Sequence, residues 1–330
     1  MTKRLTYFLL LLLQLLLAGA CGKDPDTPGD DTPGGGGLVN PLNPDEKVTL
    51  TVASVNLLKP SGRCEEMSLD KYAVRETLAR SIMETGADII GFNEVDENFI
   101  AGGPYSLPSS CATMKGFQWK LEWPNDIKST GSLAYSYANG FAYNGAVLRL
   151  EECNYVWLDK TDDRWYTNPT SAYLKVGSPE RTCIRARFTH IRSGKVFWLF
   201  VTHLPTSSQG GAANMAAVVN HLAKSTVGEL PAILTGDMNS ALGSVAYRNL
   251  LSYWSDGNIE AEWGTLSGSS ANYYYTTDVF TKGHPERRID HIMTRGCTAS
   301  GYHTVICTYS MIDKQWCPSD HLPIVATVKL

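Results

Sequence analysis

Short apolar runs recur along the chain from about residue 47 onward, separated by polar and turn-forming residues. Eight are brief and rich in β-branched or aromatic side chains: Val48–Val55, Ile89–Phe92, Gly145–Leu150, Thr182–Thr189, Val196–Thr202, Ala232–Leu234, Arg288–Met293 and Ile324–Val328. That length and composition predicts strands. Three stretches carry helical spacing instead. Leu69 to Thr85 places Val74, Leu78 and Ile82 four residues apart, and Ala212 to Lys224 places Met215, Val219 and Leu222 on one face. Val245 to Trp254 is the third. Strands outnumber helices and alternate with them irregularly, which predicts an α+β fold with packed sheets rather than a doubly wound parallel sheet.

The pattern changes upstream of residue 47. Lys3 and Arg4 precede the apolar run Leu5–Leu17, which is followed by Ala18, Gly19, Ala20 and Cys21. The run is too short for a bilayer span and reads as an export signal, residues 1–20. Small residues directly before Cys21 resemble a bacterial lipoprotein signal, in which the cysteine is lipidated and anchors the protein to the membrane. Residues 21–46 follow as a tether. Gly22 to Gly37 holds Asp, Pro, Thr, Gly and one Lys, and cannot bury enough apolar surface to order itself. Residues 47–330 are expected to form one domain.

Composition narrows the chemistry. The formal charge of −4 argues against a broad nucleic-acid surface, so no stable nucleic-acid partner is expected; a monomer is expected. Export implies an oxidising compartment for the cysteines. No CxxC spacing occurs, which discounts a zinc site; Cys183 reads as a core thiol, and Cys297 with Cys307 is the one pairing considered.

Polar residues fall at the ends of the apolar runs. Asn56 ends the first, Glu94 the second and His203 the fifth. Asp237 and Asn239 follow the sixth, Asp290 and His291 lie within the seventh, and Asp320 and His321 precede the last. Taken singly, Gly236 to Asn239 reads as a turn and Ser319 to His321 as a cap. An Asp amid Ile289, Ile292 and Met293 is harder to dismiss, because a buried carboxylate needs a partner. Convergence at one sheet rim would give an oxygen-rich site suited to Mg²⁺ or Mn²⁺.

In that order, Asn56, Asn93-Glu94-Val95, Thr202-His203-Leu204, Gly236-Asp237-Met238-Asn239, Arg288-Ile289-Asp290-His291-Ile292 and Ser319-Asp320-His321-Leu322-Pro323 resemble the endonuclease/exonuclease/phosphatase family. The resemblance implies a four-layer α/β sandwich: two packed, mostly antiparallel sheets flanked by helices, with the site at one edge. It implies hydrolysis of a phosphomonoester or phosphodiester with a divalent metal. Glu94, Asn56 and Asp320 would lie on the metal side. Asp237 would orient or deprotonate water, and Asn239, His203 and His321 would contact phosphate. Asp290 would pair a histidine, His203 or His321. Whether Asp237 or His321 is the general base stays open. Asn144 resembles a segment that faces phosphate, and Arg181 is a further candidate phosphate ligand. Residues 98–140 and 153–180, with Trp119, Trp123, Tyr135 and Tyr137, match no pattern and are the natural place for substrate selection. A nuclease of the same family, or an inactive glycan- or protein-binding lipoprotein, are the competing readings.

Overall fold

Side chains alternate between the two faces of a strand, so each strand row here serves two different cores. In the computed structural model the described residues are 43–58, 70–95, 107–111, 114, 116–122, 139–158, 181–207, 209–257, 274–275, 288–311 and 314–330. The signal-like segment 1–20, Cys21 and nearly all of the tether lie outside them, as do Cys64, Trp123, Tyr135, Tyr137 and most of the two unmatched stretches.

One six-stranded sheet has the order β12 (Thr298–Thr304), β15 (Ile324–Lys329), β1 (Thr49–Asn56), β2 (Ile89–Asn93), β4 (Asn139–Asn144), β3 (Phe117–Glu122). The other has the order β5 (Leu148–Trp157), β6 (Thr182–His190), β7 (Val196–Thr202), β8 (Ala232–Asp237), β11 (Asp290–Arg295), β9 (Ser255–Asp256). A small third sheet joins β10 (Tyr274–Tyr275), β14 (Lys314–Trp316) and β13 (Tyr309–Met311). In each large sheet a single neighbouring pair is parallel, β1 with β2 and β7 with β8. A helix links each parallel pair: α1 (Lys71–Glu84) in the first and α3 (Ala212–Val227) in the second. A short turn α2 (Leu107–Ser110) and the helix α4 (Val245–Leu251) complete the described helices.

Three apolar layers hold four structural layers together, as the α+β sandwich expectation required. Val74, Leu78 and Ile82 of α1 pack on Ala53, Val55 and Phe92. Leu50, Val52 and Ile89 face Phe197, Leu199 and Ile233 between the sheets. Met215, Val219 and Leu222 of α3 cover Phe200 and Leu234. Each buried Leu or Ile contributes about 1.5–3 kcal/mol relative to exposure.

Boundaries moved where local caps decide them. Asp70 accepts from the backbone N–H of Tyr72 and starts α1, and Ser244 accepts from Tyr247 and starts α4. The Gly145–Leu150 strand is corrected: Gly145 to Val147 form a turn, and β5 runs on from Leu148 to Trp157. Trp119 lies in β3 and stacks on Phe92 at 5.3 Å, which makes it packing rather than loop surface. Cys183 is a buried core thiol, as expected. Cys297 and Cys307 do not pair; their thiols donate to the Ala232 carbonyl at 3.5 Å and to Glu84 at 3.2 Å.

The chain enters and leaves the sandwich at one pole. Asn43 N–H donates to the Arg192 carbonyl at 3.1 Å, and Arg192 pairs with Glu46 at 3.2 Å. Leu330 N–H donates to Val48 at 3.0 Å, and Lys195 reaches the Leu330 carbonyl at 3.3 Å. Among the described residues, no helix is long and apolar enough to cross a membrane.

Candidate active site

The opposite pole collects the polar residues, and strand alternation selects which of them meet. Leu50 and Val52 point between the sheets, so Asn56, on the same row, does too. Ile89 and Asn93 share such a row, as do Ile233 and Asp237. On β11, Ile292 faces between the sheets and carries Asp290 with it. His291 takes the other face, bonding Asp256 at 3.1 Å and the Ser240 carbonyl at 3.3 Å.

Antiparallel pairing sets Asp290 directly across from Asp237. His321 then bridges them: its Nδ1 lies 2.7 Å from Asp290 and its Nε2 3.6 Å from Asp237. His203 approaches Asp237 from the other side at 3.3 Å. Asn56 donates to Asp237 at 3.0 Å and to Glu94 at 3.5 Å. Asn239 donates through its side chain to the Leu204 carbonyl at 2.8 Å and meets His203 Nε2 at 3.0 Å, while its backbone N–H donates to Asp237 at 2.8 Å. Asp320 stands 3.8 Å from His321.

Backbone strain concentrates here. Among the described residues, the non-glycine positive φ angles belong to Leu58, Glu94 and Asn239, at 56°, 50° and 44°. Such angles cost about 1 kcal/mol or more and persist where surroundings over-determine them. Gly236 has φ 146°, and a Cβ there would sit 1.8 Å from the Thr202 carbonyl oxygen. Glycine is therefore required immediately before Asp237.

Charge is divided unevenly. Burial favours a neutral Asp237, but His321, His203 and the Asn239 N–H hold it well below the usual carboxylate range. Burial also opposes protonation of His321, yet Asp290, Asp237 and Asp320 together hold it well above the ordinary value. His203 goes the other way: burial and then the Arg181 charge lower it, outweighing Asp237. The two imidazoles beside Asp237 are thus pushed in opposite directions, His321 toward its charged form and His203 toward its neutral one. Burial pushes Glu94 up, and Asp320 and Asp237 add to this against His203 and His321.

A divalent cation bound here would offset the cost that burial imposes on the charged Glu94 carboxylate. Ligand atoms of Glu94, His203 and Asp237 lie within 4.8 Å of one another, and so do those of Asp237, Asp290 and His321. A set dominated by carboxylates fits a hard divalent ion. Asn56 accepts from Leu58 N–H at 2.9 Å through its amide oxygen, and its amide nitrogen faces the two carboxylates.

Two further candidates serve other contacts. Asn144 is not brought to the cluster. Antiparallel β2–β4 register sets Tyr143 against Ile89, and Asn144 bonds Asp88 at the far end of β2, about 20 Å from Glu94 at ~3.3 Å per residue. There its side chain accepts from Ala146 N–H and shapes the turn before β5. Arg181 is at the right pole but is 1% exposed, donating to Gln209 at 2.9 Å. Gln209 also accepts from Thr206 N–H at 2.9 Å, which ties Arg181 to the loop that follows His203.

Four polar residues that hydrogen-bond beneath the site were not assigned from sequence. Asn93 belongs to the Asn93-Glu94-Val95 motif, and an amide at the end of an apolar run beside Glu94 is the signal that marks it. Asn139 and Thr182 bond each other under the site at 2.9 Å. Ser319 donates to the Asn56 carbonyl at 2.8 Å and accepts from His321 N–H at 3.1 Å, tying the last motif to the first.

The Endonuclease/Exonuclease/phosphatase family model matches residues 65–321. Solved structures share the fold. An endonuclease/exonuclease/phosphatase family protein from Bacteroides thetaiotaomicron is 22% identical, with 86% of this chain and 99% of that one covered, at TM-score 0.67. The mannosyl-6-phosphatase of Bacteroides thetaiotaomicron VPI-5482 is 22% identical over 84% of this chain and 99% of its own, at TM-score 0.65. TDP2 of D. rerio, complexed with a single-strand DNA product, is 16% identical over 86% and 99%, at TM-score 0.54. No curated protein matches the sequence. The family model spans most of the domain, from residue 65 through the Glu94, Asp237 and Asp290 motifs to His321; the chain belongs to the endonuclease/exonuclease/phosphatase family, a group of metal-dependent phosphoesterases.

Proposed function

We propose that the chain is an exported, membrane-tethered hydrolase that cleaves a small phosphomonoester or phosphodiester by in-line attack of water. The observation that carries this reading is the run Asp290–His321–Asp237–His203, closed at its rim by Glu94 and Asp320. Glu94 and Asp320 would hold Mg²⁺, or Mn²⁺ in its place. When bound, the ion neutralises phosphate charge and stabilises the transition state. Asp237 stays ionised and aligns the attacking water as a hydrogen-bond acceptor. Cationic His321 donates to a phosphate oxygen where negative charge grows. Neutral His203, steadied by Asn239, donates to or accepts from the oxygens in flight.

The formal charge of −4 supports a compact substrate over a nucleic-acid strand. Lys3, Arg4, the Leu5–Leu17 run and Cys21 support export and lipidation. The test is hydrolysis of p-nitrophenyl phosphate and bis-p-nitrophenyl phosphate with Mg²⁺ or Mn²⁺ against EDTA. Absence of turnover in either metal ends the enzyme reading. A panel of plasmid DNA, RNA, sphingomyelin, inositol phosphates and mannose 6-phosphate separates substrates; plasmid cleavage above all others would favour the nuclease reading. Labelled fatty acid should appear on the intact protein and vanish in Cys21→Ser.

A further inference from the structure

We infer that Asn93 is a positioning residue that sets the placement of Glu94 relative to Asp237 across the two sheets. The inference rests on the phosphoesterase reading. Asn93 is fully buried at the end of β2. Its Oδ1 accepts from the backbone N–H of Asp237 at 2.7 Å. Its Nδ2 donates to Asn139 Oδ1 at 2.7 Å and to the Thr202 carbonyl at 3.0 Å. Asn139 passes the connection on, donating to the Thr182 carbonyl at 3.0 Å and hydroxyl at 2.9 Å. Thr202 closes the circuit by donating to the same carbonyl at 3.0 Å.

One amide therefore ties β2 and β4 of the first sheet to β7 and β8 of the second, and it does so at the active pole. Two missing side chains allow the approach. A Cβ on Gly91 would meet the Thr235 hydroxyl at 2.1 Å, and one on Gly236 would meet the Thr202 carbonyl at 1.8 Å and Asn93 Oδ1 at 3.3 Å. Asn93 is covalently joined to Glu94 and hydrogen-bonded to Asp237 itself. A core polar network serving stability alone need not end on the main chain of a catalytic carboxylate. Donor and acceptor are both essential: the amide supplies two N–H bonds and one acceptor simultaneously, which neither a carboxylate nor a hydroxyl provides.

The test compares the full chain with Asn93→Ser and Asn139→Ser. Readouts are kcat and KM at saturating Mg²⁺, the Mn²⁺ dissociation constant by calorimetry, and the melting temperature. The expected result for Asn93→Ser is a loss of about 10- to 100-fold in kcat or in Mn²⁺ affinity, larger than any change in KM. A merely structural role would lower the melting temperature and leave kcat and Mn²⁺ affinity of the folded protein at wild-type values, and that result overturns the proposal. If Asn93→Ser does not fold, Asn139→Ser decides: it keeps the Asp237 bond but removes the brace on Asn93. A loss of about 10-fold or more supports the inference, and unchanged constants overturn it. An active wild type with an unaffected variant removes this inference alone. A wild type that neither turns over nor binds Mn²⁺ removes the phosphoesterase reading and this inference together.

Discussion

The Asp290 carboxylate holds Nδ1 of His321 at 2.7 Å, which leaves Nε2 directed at Asp237 and the rim of the sandwich. The imidazole is thereby fixed in orientation and kept cationic. Asp290→Asn removes the charge while keeping the shape. We expect kcat to fall by roughly 10²-fold or more with a smaller change in KM. Steady-state kinetics on p-nitrophenyl phosphate with Mg²⁺ checks this; an unchanged kcat would show that His321 does not need its partner.

The two histidines give opposite dependences of stability on pH. His321 is held above its ordinary value of 6.5, so its contribution is complete below that pH and is lost as pH rises through the folded value. His203 is held below 6.5, so the stability linked to its neutral form is present above that pH and declines as pH falls toward the folded value. Urea melts in EDTA should therefore show the gap between wild type and His321→Asn widest below pH 6.5 and narrowing in alkali. Acidification should destabilise the wild type more than His203→Asn. A gap that widens with rising pH would reverse the assigned sign.

Metal should act on stability as well as rate. At a free concentration near 100 times Kd, a ligand bound by the folded state alone stabilises it by about 2.7 kcal/mol. Calorimetric melting with Mn²⁺ should show this rise in the wild type and its loss in Glu94→Gln. Equal stabilisation of both proteins would place the ion elsewhere.

Gly236→Ala puts a methyl group into the Thr202 carbonyl, backbone against backbone. We expect a loss of about 3 kcal/mol in urea unfolding, together with loss of activity. Gly86→Ala is the control. It also has a positive φ, 57°, but open space around it, and should cost roughly 1 kcal/mol. Similar costs at both positions would mean the sheets can part at Gly236.

Much of this site was legible because it sits at strand ends. Apolar runs announced β1, β2, β7, β8 and β15, and the polar residues bordering those runs named Asn56, Glu94, His203, Asp237 and His321. Period-two alternation also separates Asp290 from His291, once the facing of Ile292 is known. Register was not legible. Asn144 and Asn139 stand at the two ends of one strand, and only pairing with β2 reveals that Asn139 belongs to the catalytic pole. β3, β4 and β12 escaped notice because their sequences mix Gly, Asn, Ser and Lys, and β12 is an edge strand whose residues are largely exposed. Amide orientation was also out of reach: residue order does not say that the Asn56 oxygen serves Leu58 N–H while its nitrogen faces Asp237.

The pole where the chain enters and leaves has a practical consequence. β1 carries eight residues from Thr49 to Asn56, so Val48 and Leu330 lie about 25 Å from the catalytic end at ~3.3 Å per residue. A bead linkage at Leu330, or a fusion joined before Asn43, grips the domain on its blunt side. Protein captured on a solid support through either handle should keep its solution kcat and KM, with the cleft left open to whatever flows past.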